Sequence, residues 1–317
     1  MKKILSCLLF LMTIIIAANA QPVKKHGQLK VTGTQLTDKN NKPVVLNGMS
    51  YGWSCFHPRF FTAGVVNTLA KDWNCSVIRA AIGIEPKGGY IEDSAASMRL
   101  VTTVVDAAIK EGIYVIIDWH SHNINLKEAR TFFKTMATKY HDYPNVIYEL
   151  YNEPDYETWA QVKAYSIDLI STIRAVDSNN IILVGCPHWD QDINLPAEDP
   201  IVGFHNLMYT MHFYAGTHKQ WLRDRTDAAI AKGLPVFISE SAGMDASGDG
   251  KIDYEEWNKY IQWMEAKKLS WITWSVSDKD ESCSVLNKSA DSNGYWKNGD
   301  LKESGIKVRE YLRAKKL

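Results

Sequence analysis

Charge of one sign is what this 317-residue chain most plainly lacks: 36 Lys and Arg stand against 36 Asp and Glu. A nucleic-acid binder usually presents a basic surface, so the balance argues against one. Disordered chains combine low hydrophobicity with charge imbalance, and a hydrophobic fraction of 45% excludes that class. Glycine (19) and proline (10) are sparse, and no Gly/Ser/Pro-rich linker divides the chain. Cysteine is scarce as well. Beyond Cys7, the residues Cys55, Cys75, Cys186 and Cys283 are widely spaced and match no C-x-x-C zinc or redox pattern. A domain of this size needs no covalent staples, so they read as isolated, mostly buried thiols. Long apolar runs are missing after the N-terminus: each is broken by charge within about ten residues, roughly half a membrane span. No membrane insertion is expected.

Residues 1–20 read as an export signal. Lys2 and Lys3 precede an apolar run from Ile4 to Ile16, and Ala18-Asn19-Ala20 forms a small-x-small cleavage site before Gln21. The exported chain, 21–317, loses two lysines and turns slightly acidic. What it has in quantity is aromatic surface: 11 Trp and 15 Tyr. Indole N–H groups are costly to bury unpartnered, so this abundance suggests surfaces that grip something flat and amphipathic, with a Trp-rich core as the alternative.

The remainder has one repeated α/β rhythm. Short apolar, β-branched runs recur at Val44–Leu46, Ser76–Ile78, Tyr114–Ile117, Val146–Tyr148, Ile181–Val184, Leu207–Tyr209, Pro235–Ile238 and Trp271–Thr273. Helical patterns such as Ser94–Glu111 and Tyr156–Val176 separate them. Strands buried on both faces and joined by helices pair in parallel, and eight such units over ~250 residues predict a (β/α)8 TIM barrel. Residues 27–46 look different: Leu29–Val31 and Gln35–Leu36, with the polar stretch Asp38–Pro43, predict a β-hairpin that caps the barrel bottom. A small appended strand domain is the alternative.

Barrel enzymes carry their chemistry at the C-terminal strand ends. Here strand two is read as ending at Arg79, strand three at Asp118-Trp119-His120, and strand four at Tyr151-Asn152-Glu153-Pro154. Strand six ends at His212-Phe213-Tyr214, strand seven at Glu240 and strand eight at Trp274. Glu153 and Glu240 each follow an apolar strand, where an unpaired charge is expensive. Facing each other across one mouth, they suit glycoside hydrolysis, which needs one carboxylic acid and one carboxylate. A structural pair neutralised by Arg79 and His212 is the competing reading.

These segments, in this order, resemble glycoside hydrolase family five, most closely its bacterial endo-β-1,4-glucanases. The likeness covers nearly the whole exported chain. It rests on Tyr151–Pro154, the Val-Phe-Ile-Ser-Glu-Ser run around Glu240, Leu46–Ser50, Val77–Ala81, Asp118–His120, Met211–His218, Leu269–Ser275 and Lys279–Ser282. The resemblance implies a retaining double displacement with Glu153 as acid/base and Glu240 as nucleophile, and no required cofactor. It places Arg79 and Tyr214 beside Glu240, Asn152 on the sugar 2-hydroxyl, and His120 and His212 where they position hydroxyls and carboxylates. Trp274 would floor the subsite beside the cleaved bond, Trp53 a more distal one, and Lys279 and Glu281 would bind hydroxyls. Glu153 should then have its pKa raised by burial or by Glu240, while Glu240 stays ionised. One departure is Gly83, where many relatives carry a tyrosine; Tyr90 is the candidate to fill that space.

Two metal readings compete with parts of this. His120-Ser121-His122 resembles the His-x-His of metal-dependent barrel hydrolases, although the other strand ends offer glutamates and Trp274 instead. Asp245, Ser247, Asp249, Asp253 and Glu256, with Gly250 between, have the spacing of an EF-hand calcium loop. The entering helix is missing, and a polar strand-to-helix loop is the favoured reading. The expected protein is thus an exported, monomeric, metal-independent β-glucan hydrolase. With no linker to a tethered binding module, it should prefer soluble or amorphous glucan. Rivals are the same machinery on mannan, xyloglucan or mixed-linkage glucan, and a carbohydrate-binding protein that has lost activity.

Overall fold

A computed structural model describes residues 21–315; the expected export signal lies outside them. Eight strands close into a barrel in which every neighbouring pair is parallel: β3 (Asn47–Tyr51), β4 (Val77–Gly83), β5 (Tyr114–His120), β6 (Val146–Glu149), β7 (Ile181–Val184), β8 (Leu207–Tyr214), β9 (Val236–Ala242) and β10 (Trp271–Val276). Helices join them on the outside. The predicted helix Ser94–Glu111 forms as read: the Asp93 carboxylate accepts the Ala96 amide at its start, and Gly112 closes it with a left-handed φ of 72°. The helix within Tyr156–Val176 is trimmed to Trp159–Arg174 by a capping box between Thr158 and Gln161. All four cysteines among the described residues are free thiols, three buried and Cys55 half-buried. No helix among the described residues is long and apolar enough to cross a membrane.

The first barrel strand lies further along than predicted. Val44–Leu46 runs beneath the barrel, and the strand is the more polar Asn47–Tyr51. Hydrophobicity misleads here because the barrel needs a narrow residue. A Cβ on Gly48 would sit 1.7 Å from the Val77 carbonyl oxygen, so only glycine lets β3 approach β4.

The hairpin consists of β1 (Lys30–Thr32) and β2 (Gln35–Thr37), paired Thr32 to Gln35 across a turn led by Gly33. Asp38 organises the following turn, its Oδ1 accepting the Asn40 and Lys42 amides at 2.8 and 2.9 Å. Leu29, Leu36, Val44 and Leu46 then form one buried cluster with the lowest inward-facing barrel residues, including Val77, Ile116 and Phe237. The Tyr114 hydroxyl donates to the Gly27 carbonyl at 2.6 Å and ties the plug in place. The hairpin is therefore part of the barrel's core and not an appended strand domain.

Leu36 is 2% exposed within this plug. Leu36→Ala is expected to destabilise the protein by about 2–5 kcal/mol in urea unfolding, through lost burial and a cavity. The kcat should be unchanged, because the plug closes the end remote from the polar strand termini. A fall in kcat without loss of stability would contradict this.

Candidate active site

Arg79 sits three residues into β4, inside the barrel rather than at the end of a strand, because β4 continues to Gly83. The parallel register sets it level with Ser50 and Ile116. Its guanidinium is completely buried. Nε and Nη2 donate to Glu149 at 2.7 and 3.3 Å. Nη1 donates to Glu240 at 3.0 Å, and Nη2 to Asn152 Oδ1 at 2.6 Å. Asp118 Oδ2 lies 3.0 Å from the same nitrogen. Burial alone would disfavour the guanidinium's charge, but these carboxylates hold its pKa above the usual value. In turn Arg79, helped by His212, overcomes burial at Glu149 and pulls its pKa down to about 2.

Glu149 bears on the two readings of the glutamate pair. It gives Arg79 a two-pronged, fully buried partner, so Glu240 is not its sole counter-ion. Glu240 is instead held by two donors, Arg79 and the Tyr214 hydroxyl at 2.7 Å. It pairs directly with His212 across the β8–β9 ladder, next to a register shift that turns both side chains into the mouth.

Glu153 lies beyond the end of β6. Backbone bonds from Asn152 N–H to the Trp119 carbonyl (3.1 Å) and from Glu153 N–H to the Ser121 carbonyl (3.3 Å) carry that segment along β5 and over the mouth. Its side chain remains 16% exposed, against 5% for Glu240. His212 Nδ1 meets Glu153 Oε1 at 2.9 Å, and His122 Nε2 lies 3.9 Å from Oε2. Ligand-capable atoms of Glu153, His212 and Glu240 fall within 4.8 Å of one another. This trio is not arranged as a metal centre: both Glu240 oxygens and His212 Nδ1 are already engaged as above, and the local cation is a guanidinium.

The proton distribution differs from the expectation. Burial would raise Glu153, but the hydrogen bond and charge of His212, with His122 and Arg79, outweigh it and lower the pKa in the free site. Glu240 is raised by burial and by the charge on Glu153, against His212, Arg79 and Tyr214. The reason is His212, whose own pKa is pushed well up against burial by the surrounding carboxylates.

Several of the residues expected to face sugar also converge. A cavity of about 440 Å³ beside the carboxylates is lined by Trp53, Tyr214, Trp274, Lys279 and Glu281 among others. His120 stacks on Trp274 at 5.1 Å and meets Trp53 edge-on at 4.2 Å, with its Nδ1 2.7 Å from Asp118. Trp53 in turn stacks on His122 at 5.6 Å, so an indole separates the two histidines of the His-x-His pattern and they do not chelate together. The space at Gly83 is filled by Cys55, whose Sγ would lie 2.6 Å from a Cβ there, and by Trp53 at 3.1 Å. Tyr90 packs into the core against Trp119 and Phe132 instead.

The EF-hand spacing does not produce a calcium cage. Asp253 caps the helix Tyr254–Lys267 and binds Lys219 at 2.6 Å, while Glu256 binds Arg223 and Lys259. Asp249 accepts from Ser282 at 2.9 Å, and Ser247 lines the cavity between Ala246 and Gly248. The loop joins β9 to its helix and forms one wall of the cavity.

The cellulase pattern of glycosyl hydrolase family 5 matches residues 37–280. The chain belongs to this family. It is accordingly a glycoside hydrolase. It is 40% identical over 302 residues to an endoglucanase of Clostridium saccharobutylicum, covering 93% of this chain and 67% of the relative. Endoglucanase Z of Dickeya dadantii is 36% identical over 321 residues, covering 99% and 72%. The chain thus spans about two thirds to three quarters of these family 5 relatives. The catalytic domain of Thermobifida fusca endoglucanase Cel5A superposes with a TM-score of 0.87 at 32% identity, covering 93% of this chain and all 100% of that domain. A structure from Cytophaga hutchinsonii superposes at 0.91 with 41% identity, over 92% and 96% of the two chains.

Arg79→Lys would lose the fork that binds Glu149 and the reach to Glu240. It is expected to destabilise by about 3–5 kcal/mol in urea, the range for breaking a buried pair. Glu149 is depressed from 4.5 to about 2, so its contribution is complete above pH 4.5 and fades as pH falls towards 2. The stability gap between wild type and Arg79→Lys should therefore narrow as pH drops through that window. A gap independent of pH would show that Glu149 does not carry the effect.

Proposed function

We propose that this protein is an endo-β-1,4-glucanase that cleaves internal bonds of cellulose or related β-glucans by a retaining double displacement. The observation that carries the mechanism is the short span between Glu153 and Glu240, whose nearest carboxylate oxygens lie within 4.8 Å. Retaining glycosidases hold their carboxyl groups about 5–5.5 Å apart, whereas inverting ones leave about 6.5–9.5 Å for a water.

In the first step the Glu240 carboxylate bonds to the anomeric carbon while the glycosidic C–O bond breaks. Its electron pair goes to the leaving oxygen, which takes the Glu153 proton. Arg79 and Tyr214 fix the attacking carboxylate. Glu153 is ionised readily in the free site, so the bound chain must supply part of its protonation: sugar over the mouth removes water from the exposed carboxyl and disfavours its charge. In the second step Glu153 accepts a proton from water as the water oxygen bonds to the anomeric carbon. The ester bond to Glu240 breaks as that bond forms, its electron pair returning to the carboxylate, and both glutamates return to their starting states.

Asn152 uses its carbonyl oxygen on Arg79, which leaves its NH2 to donate to a sugar 2-hydroxyl. Trp274 and Trp53 offer indole faces to the C–H faces of glucose, and Lys279 and Glu281 offer charged groups to hydroxyls. The relatives named endoglucanase, and a cellotetraose-bound variant of the Thermobifida fusca domain, support a β-glucan chain as substrate. Neither a cofactor nor calcium enters the scheme. The proposed working unit is one barrel within residues 21–317, acting as a monomer after export by residues 1–20.

Glu240→Gln is expected to abolish turnover, by a factor of about 10⁴ or more, because a neutral amide cannot form the glycosyl ester. Glu153→Gln should lose most activity on cellulosic chains yet keep kcat/KM on a dinitrophenyl cellobioside, whose leaving group needs no proton. Fresh product should carry the substrate's β configuration by NMR. Full turnover in Glu240→Gln, or α product, would overturn the mechanism. Reducing-sugar assays across carboxymethylcellulose, mannan, xyloglucan and mixed-linkage glucan test the substrate class, and a clear preference for mannan would overturn that part.

A further inference from the structure

Asp190 is a completely buried carboxylate that the displacement scheme does not use. It lies behind His212, with Oδ2 3.3 Å from Nε2, while Nδ1 on the other side of the ring is 2.9 Å from Glu153. Its Oδ1 accepts the Cys186 amide, and its Oδ2 has no hydrogen-bond partner of good geometry. The backbone that delivers it is unusual. His188, Trp189 and Asp190 have φ of 60°, 53° and 59°, three consecutive side-chain-bearing residues in the left-handed region. Trp189 N–H donates to the Pro154 carbonyl at 2.9 Å, so this turn is pinned to the segment that carries Glu153.

The other groups facing His212 are committed elsewhere or neutral. Ser239 Oγ is 2.9 Å from Nε2, and Glu149 is 3.9 Å away but bound to Arg79. Glu240 acts on the ring through its charge while held by Arg79 and Tyr214, and His120, His218 and Asp118 act only at a distance. Asp190 alone brings an unengaged, fully buried carboxylate oxygen to Nε2.

We propose that Asp190 is a positioning residue for the acid/base: its carboxylate, 3.3 Å behind Nε2 and beside the Ser239 hydrogen bond, favours the proton on that nitrogen, so that Nδ1 stays directed at Glu153 and keeps its proton exchangeable with that carboxyl. The arrangement follows the general logic by which a buried carboxylate orients an imidazole and fixes which nitrogen faces the reacting group. With Nε2–H turned towards Ser239 Oγ at 2.9 Å and the Asp190 carboxylate 3.3 Å behind it, Nδ1 is free to accept from protonated Glu153 or, when protonated, to donate to ionised Glu153. Those two states hold the same single proton; once it passes to the leaving oxygen, Nδ1 is unprotonated and Glu153 is ionised, ready to accept the proton of water in the second step. His212 and Asp190 are not consumed, and no further reactant is needed. The inference rests on the acid/base assignment of Glu153.

Asp190→Asn tests it, because asparagine keeps the volume and tolerates the left-handed backbone. It should lower kcat/KM on cello-oligosaccharides by about 10-fold or more, with KM near wild type. On dinitrophenyl cellobioside, where no proton is required, kcat/KM should stay within about 2-fold of wild type. Equal losses on both substrates, or none on either, would make Asp190 a structural group only. Where Asp190→Asn does not fold, Asp190→Ser is measured in its place with the same discrimination expected. Glu153→Gln, run in parallel, separates the two failures. If it too loses equally on both substrates, the acid/base assignment is wrong. If it discriminates and the Asp190 variant does not, only the role of Asp190 falls.

Discussion

The site depends on neutralising one buried guanidinium. Arg79 is buried inside the barrel away from bulk solvent, where an unpaired charge would cost several kcal/mol or more. The chain answers with acceptors from several strands: Glu149 from β6, Asp118 from β5 and Glu240 from β9, with Asn152 just beyond β6. Because each must reach the same planar fork, each is held in place by satisfying it. The geometry at the mouth is therefore a by-product of charge neutralisation lower in the barrel. Glu240 is oriented because Arg79 needs acceptors, and Asn152 is oriented for the same reason.

A second layer of the same logic surrounds His212. Arg79 gathers carboxylates at one side of the mouth, and those carboxylates, with Asp190, draw a proton onto the imidazole. That proton favours ionised Glu153 in the empty site, opposite to what the acid role alone suggests. The proposed reaction needs the carboxyl protonated only when sugar is bound, and Glu153 is the more solvent-exposed of the two glutamates. In the proposed scheme its charge state responds to occupancy of the mouth, while Glu240 stays clamped between Arg79 and Tyr214.

Much of this was legible in the sequence. The apolar runs and their spacing predicted a parallel barrel, and polar residues after those runs converge in space: Glu153, Glu240, His212, Tyr214, His120 and Trp274 all meet at one mouth. The departures have physical causes. Strand β3 was misplaced because its close contact with β4 demands glycine rather than a branched side chain. The EF-hand spacing was real, but spacing does not say which cation a carboxylate meets, and Lys219, Arg223 and Lys259 reach Asp253 and Glu256. Glu149 and Asp190 were missed. A glutamate inside Val-Ile-Tyr-Glu-Leu-Tyr signals a buried charge needing a partner, and pointed to Glu149. Nothing local marks Asp190, whose place depends on a left-handed turn.

The central claim is that Glu240, held by Arg79 and Tyr214, is the nucleophile that carries the sugar. A 2-deoxy-2-fluoro-cellobioside with a good leaving group would slow the second step and trap the ester. Peptide mass spectrometry of the inactivated protein should then find one cellobiosyl adduct, on the peptide and at the residue Glu240. An adduct on Glu153, or inactivation without any covalent adduct, would contradict the account.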